Sequence, residues 1–275
     1  MTISAITDNR PTPLAAPPNG RYGTVDLVRS EWTKLRTVRS TLWALGATIV
    51  IGIGISALAT AEVRAHLATT GPFDPTRLSL TGTFFCQLVI GVLGVLVMSG
   101  EYSTGTIRAT FAAAPRRPLV LVAKAVVFGS VVLVISEVVA FVSFLLGQAL
   151  LTAPAPHASL STPGALTAIV GTGLYLCVIG LFALALATLV RHTAGAISAF
   201  VFLLLVLPLI LEALPTSMQN AVNRYELPVI GSRILNATNH GGALTFSPWA
   251  GFGVLCGYTL TLLLVGGVLL VRRDA

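Results

Sequence analysis

Apolar residues in this chain come in long unbroken runs, with few strictly alternating stretches. Six runs reach the ~20 residues that an α-helix needs to cross the hydrocarbon core of a bilayer. They cover roughly 41–61, 78–99, 119–151, 164–190, 194–214 and 249–271. The third is long enough to tilt or to begin in the interface. The fourth and fifth are separated only by Arg191-His192-Thr193, a charged break that marks a turn. The pattern predicts an all-α integral membrane protein with six transmembrane helices across 41–275.

A different periodicity precedes the first span. In TVDLVRSEWTKLRTVRS, residues 24–40, Val25, Val28, Trp32 and Leu35 recur at helical spacing. Arg29, Lys34, Arg36 and Arg39 lie beside or opposite that stripe, and Asp26 sits in the first turn, where a carboxylate suits the helix dipole. This predicts an amphipathic helix lying in the membrane interface, with Trp32 near headgroup depth. Two roles stay open for it: a lipid anchor, or a brace for a partner protein. Residues 1–23 have no apolar core and are rich in proline and glycine, so they read as a disordered tail with no signal peptide.

Composition agrees with the pattern. The chain has 275 residues, 55% hydrophobic and only 10% charged, with a mean hydropathy of +0.87. Soluble domains carry about 25% charged residues, so this chain could not cover its surface in water. The net charge of +7 does not point to nucleic acid, because the positive residues cluster at the ends of the apolar runs. Cys86, Cys177 and Cys256 each lie inside such a run, with no paired spacing, and read as small apolar packing residues.

The distribution of lysine and arginine sets an orientation. Thirteen of the 17 fall in the N-terminal segment, the second and fourth connections and the C-terminal tail. The other four, Arg64, Arg77, Arg224 and Arg233, fall on the opposite side. Both termini are therefore expected in the cytoplasm.

That places GEYSTGTIRATFAAAPRRP, residues 100–118, on the cytoplasmic side. Glu101 directly follows the second run. Ser103 or Thr104 offers a helix cap, Ile107, Phe111 and Ala114 share one face beside Arg108, and Pro115 stops the helix. The stretch predicts a short cytoplasmic helix between spans two and three, with an apolar knob rimmed by charge. Read alone, it is either an ordinary basic loop enforcing topology or a docking element for a soluble partner.

SEWTKLRTVRST at 30–41, the 100–118 stretch followed by Lys124, SPW at 247–249 and the terminal RRDA together resemble the permease subunits of ABC-2 type exporters, most of all their actinobacterial branch. The order of elements is similar as well. The resemblance implies a membrane subunit that forms a translocation path with a second permease subunit, identical or different, and sits on a separate ABC ATPase. It implies that Glu101, Gly105, Thr106, Ile107, Arg108, Phe111, Arg116 and Arg117 belong to the coupling element. Trp32, Lys34, Leu35 and Arg36 would belong to the interfacial helix beside it. ATP and magnesium would be bound by the partner, with no cofactor on this chain.

The chain's own residues agree that ATP is handled elsewhere. Its two lysines, Lys34 and Lys124, follow no phosphate-loop pattern, and no nucleophile elbow or metal-binding His-Glu-x-x-His occurs. Polar residues within the spans are the remaining candidates. Gln87, Glu137 and Glu212 are expected either to line a translocation path or to form interhelical hydrogen bonds. Gln148 lies close to the membrane as well. The alternative to an exporter subunit is a non-transporting membrane scaffold or assembly protein that keeps the interfacial helix and the docking loop but transports nothing.

Overall fold

A computed structural model describes residues 23–67, 71–106, 117–215, 225–235 and 247–272. Among these the regular structure is all helical. Helix α1, Thr24–Thr37, starts at Gly23, whose N–H donates to the Asp26 carboxylate at 3.0 Å. Extended backbone at Val38 ends it and turns the chain into α2, Arg39–Ala65. The other long helices are α4, Thr83–Ser103; α5, Arg117–Leu150; α6, Ala165–Val190; α7, Thr193–Glu212; and α9, Pro248–Arg272. Six helices are thus long and apolar enough to cross a membrane. Short helices α3, Pro75–Ser79, and α8, Leu227–Ser232, sit at one end of the bundle.

The expected second span is corrected at its start. Residues 78–79 belong to α3, because Asp74 caps that helix, accepting from the N–H groups of Thr76 and Arg77, and Pro75 occupies its first position. The span itself begins at Thr83, one residue after Gly82. A Cβ on Gly82 would come within 2.1 Å of the Gly52 carbonyl oxygen, so only glycine lets the start of α4 press onto α2. The Gly82 N–H then donates to Ser56 Oγ at 3.0 Å. Thr48, Gly52, Ser56 and Thr60 form the matching small-residue stripe of α2, spaced by four and buried. Such stripes let helices approach closely where no hydrophobic drive exists between them in lipid.

Helix α6 is the central post. It packs against α4, α5 and α9, and residues such as Ile169, Leu176, Ile179 and Leu184 on it are fully buried. Arg191 ends it in the left-handed conformation, φ 57°, and His192 Nδ1 accepts from the Gly195 N–H to start α7. That is the expected break between spans four and five. Helix α7 carries a π-helical turn at Phe202–Val206, just before Pro208. Proline has no N–H and clashes with the preceding turn, so a widened turn is one way for the helix to pass it.

Gln148, near the end of α5, is an interhelical clip. Its amide donates to the Pro75 carbonyl at 3.0 Å and to Ser79 Oγ at 2.8 Å, while its oxygen accepts from the Ala158 N–H at 2.6 Å. Large apolar side chains such as Trp43, Leu58, Leu209 and Leu264 stay exposed on the outer helices. In water these would be a liability. Around a helix bundle of this length they are the surface that lipid covers.

Candidate functional site

The inward face of α1 is not the apolar stripe. Val25, Val28 and Trp32 are exposed, Trp32 at 49%, and among its side chains only Glu31 and Leu35 are buried. Leu27, Glu31, Lys34 and Leu35 follow the i, i+4, i+7, i+8 pattern of one helix face, and that face meets the bundle with two charges at its centre. Arg36 lies exposed on the far side.

Those charges close a ring with two others. Lys34 Nζ donates to Glu31 Oε1 at 2.7 Å and to Glu101 Oε1 at 2.8 Å. Lys124 Nζ donates to Glu31 Oε2 at 2.6 Å and to Glu101 Oε1 at 2.9 Å. Each of the four groups therefore has two partners of opposite sign, and the ring is neutral. It joins three elements: α1, the last turn of α4 and the early part of α5. The side chains of Glu31 and Lys124 are only 3% exposed, and Glu101 is 12% exposed. Burial by itself would lower the Lys34 pKa, but the hydrogen bonds and negative charges of Glu101 and Glu31 outweigh it, and the net direction is upward. Glu101 sits at the end of α4 where the helix dipole disfavours a carboxylate, so its lysine partners must hold it there. Its second oxygen, Oε2, is buried and has no hydrogen-bond partner among the described residues.

Glu101 thus points into the bundle. The hydroxyls expected to start the coupling helix instead finish α4. Ser103 and Thr104 both donate to the Gly100 carbonyl, and Gly105 follows with φ 71°, the left-handed residue that closes a helix end. Thr106 is exposed, its hydroxyl 2.9 Å from that of Thr104. Ile107, Arg108, Phe111 and Arg116 lie outside the described residues, as does the side chain of Arg117. Nearby, the Arg191 guanidinium stacks 5.6 Å from the centroid of the Tyr102 ring and donates to the Leu269 carbonyl at 3.3 Å. The ends of α4, α6 and α9 are tied together there.

A second site lies at the opposite end of α4. A cavity of about 570 Å³ is bounded by α3, α4, α6, α7 and α8. Gln87 and Tyr175 on its wall are both buried, with the Tyr175 hydroxyl donating to Gln87 Oε1 at 2.5 Å. Arg77 and Glu212 line its exposed part, with Phe84, Pro228 and Val229 as apolar wall. Glu226, the N-cap of α8, has its carboxyl pKa raised by burial and then by the nearby charge of Glu212. Of the three intramembrane candidates, Gln87 and Glu212 share this cavity and Glu137 does not. The Glu137 carboxyl is seated against Gly173, where a Cβ would lie 2.4 Å from its Oε1, and its buried Oε2 has no hydrogen-bond partner among the described residues.

Sequence reasoning passed over Glu31 and Tyr175. Glu31 stands in a stretch read for its apolar stripe and its cations, and its spacing of three from Lys34 was the available signal. Tyr175 sits in an apolar run, where an aromatic residue reads as core. Lys124 was read as part of the positive-inside bias rather than as half of a buried pair.

Residues 77–275 match the profile of the ABC-2 family transporter proteins. None of the curated proteins compared matches the chain. The matched stretch holds spans two to six, the cavity, Glu101 and Lys124, while α1 with Glu31 and Lys34 lies ahead of it. With well over half of its length in the match and six candidate membrane spans, the chain belongs to the ABC-2 family of transporter proteins as a multi-pass membrane protein.

Proposed function

We propose that this protein is the membrane-spanning permease subunit of an ATP-driven exporter. It sits in the bacterial cytoplasmic membrane with both termini in the cytoplasm. ATP and magnesium are bound by a separate ABC ATPase, which docks on residues 100–118. A second permease subunit completes the translocation path, to which the cavity lined by Gln87 and Glu212 contributes, with Glu137 a candidate facing a different neighbourhood. The actinobacterial affinity rests on the quoted motifs alone.

One observation carries the reading beyond the family. The ring of Glu31, Lys34, Glu101 and Lys124 fastens the segment leading into the docking loop to both the interfacial helix and span three. A push on that loop therefore reaches three elements at once. It also lies at the end of the bundle where most of the lysine and arginine is found, the end expected to face the cytoplasm.

Affinity purification of the full chain in mild detergent tests this. A nucleotide-binding ATPase that co-purifies in fixed proportion and hydrolyses ATP is the expected result. Recovery of the chain alone, under conditions that keep it folded, would favour the scaffold reading.

A further inference from the structure

The interfacial helix has very little apolar grip on the bundle. Leu35 is its only buried apolar side chain, and Val25, Val28 and Trp32 face away. What fixes its position is charge. Helices α4 and α5 present one carboxylate, Glu101, and one ammonium, Lys124. Helix α1 brings one of each as well, three residues apart, so that every contact in the ring is between opposite signs. The two oxygens of Glu31 are divided between Lys34 on its own helix and Lys124 on α5.

We propose that Glu31 and Lys124 are positioning residues for coupling. Their buried pair holds α1 on span three and, through the contact of Lys124 with Glu101, sets the end of span two from which the docking loop departs. The interfacial helix is then a fixed part of the transmission and not a lipid anchor alone. The proposal rests on the exporter reading for its consequence, but its geometric half stands without it.

Charge arithmetic supplies the test. Removing one partner of a buried pair leaves an uncompensated charge, whereas removing both does not. Glu31→Gln or Lys124→Met alone opens the ring with a net charge. The double variant is neutral and retains the Lys34–Glu101 pair. All three are made in the full chain, with Cys86, Cys177 and Cys256 replaced by alanine and nitroxide labels on cysteines placed at Ser30 and Val122. Both label positions are exposed, one on α1 and one on α5.

The starting protein is expected to give one narrow distance distribution. The single variants should lose thermal stability. The double variant should regain stability while its distances broaden or shift, because α1 has lost its hold on α5. With the ATPase bound, the double variant should also lose roughly fivefold or more of substrate-stimulated hydrolysis, the scale of a typical coupling free energy. A double variant with the original narrow distribution would overturn the proposal, as would one whose stimulation is unchanged. Should no ATPase co-purify, the exporter reading fails, and the label distances still decide whether Glu31 and Lys124 position α1.

Discussion

Tyr175 and Gln87 show what one buried hydrogen bond does in this bundle. The Tyr175 ring lies against Gly231, where any Cβ would collide with it, so its hydroxyl has one direction to point. Tyr175→Phe would keep the packing and strip Gln87 Oε1 of its donor. That should cost about 1–3 kcal/mol, the penalty for an unsatisfied buried acceptor, seen as a lower Tm of the detergent-purified chain. The cost falls below that range if water from the cavity reaches the oxygen, and an unchanged Tm would deny the bond any structural weight. Gln87 was legible in the sequence because an amide in an apolar run is conspicuous. Tyr175 was not, since a single apolar-looking residue gives no sign of which neighbour its hydroxyl will meet. The same holds for Glu31, whose buried partner Lys124 is 93 positions away in sequence.

The six spans were legible as elements because length and hydropathy alone dictate them. Their ends shifted where local chemistry intervened: the Asp74-Pro75 cap places 78–79 in a separate short helix and span two starts at Thr83, and Pro208 is preceded by a π turn. The face each helix turns inward was harder to read. In lipid both faces of a helix are apolar, so periodicity loses its contrast, and small residues become the better guide. Gly94 illustrates this. A Cβ there would lie 2.4 Å from the Gly180 carbonyl oxygen of α6, a backbone atom that cannot swing aside. Gly94→Val should therefore force α4 and α6 apart and cost about 1–3 kcal/mol or more from overpacking, measured by thermal unfolding in detergent. Gly54→Val, at a position with nothing within 4 Å, should leave stability unchanged. Equal effects at both sites would remove close packing as the reason for Gly94.

Across the whole molecule, α4 connects the two sites. Gln87 and Glu101 are 14 residues apart on one continuous helix, about 21 Å at 1.5 Å per residue. A displacement of the Glu101 end need not pass through a chain of side chains to reach the cavity; it is carried by the helix that holds both. The Gly91 and Gly94 contacts lie between the two ends, with Phe200 and Gly180 as the surfaces α4 bears upon. Sequence reading supplied the two ends separately, as a docking loop and as polar residues in spans. What it did not show is what each end is fastened to, because that depends on which charges and hydroxyls are buried together. The ATPase is proposed to dock at the ring end of this bundle. A photo-reactive amino acid placed at Thr106, exposed just beyond α4, tests it most directly when compared with one at Ser161, exposed at the opposite end. Irradiation of the complex should link the ATPase to position 106 and not to position 161. A link from position 161, or none from position 106 in a complex that hydrolyses ATP, would mean that the ATPase does not dock at the ring end.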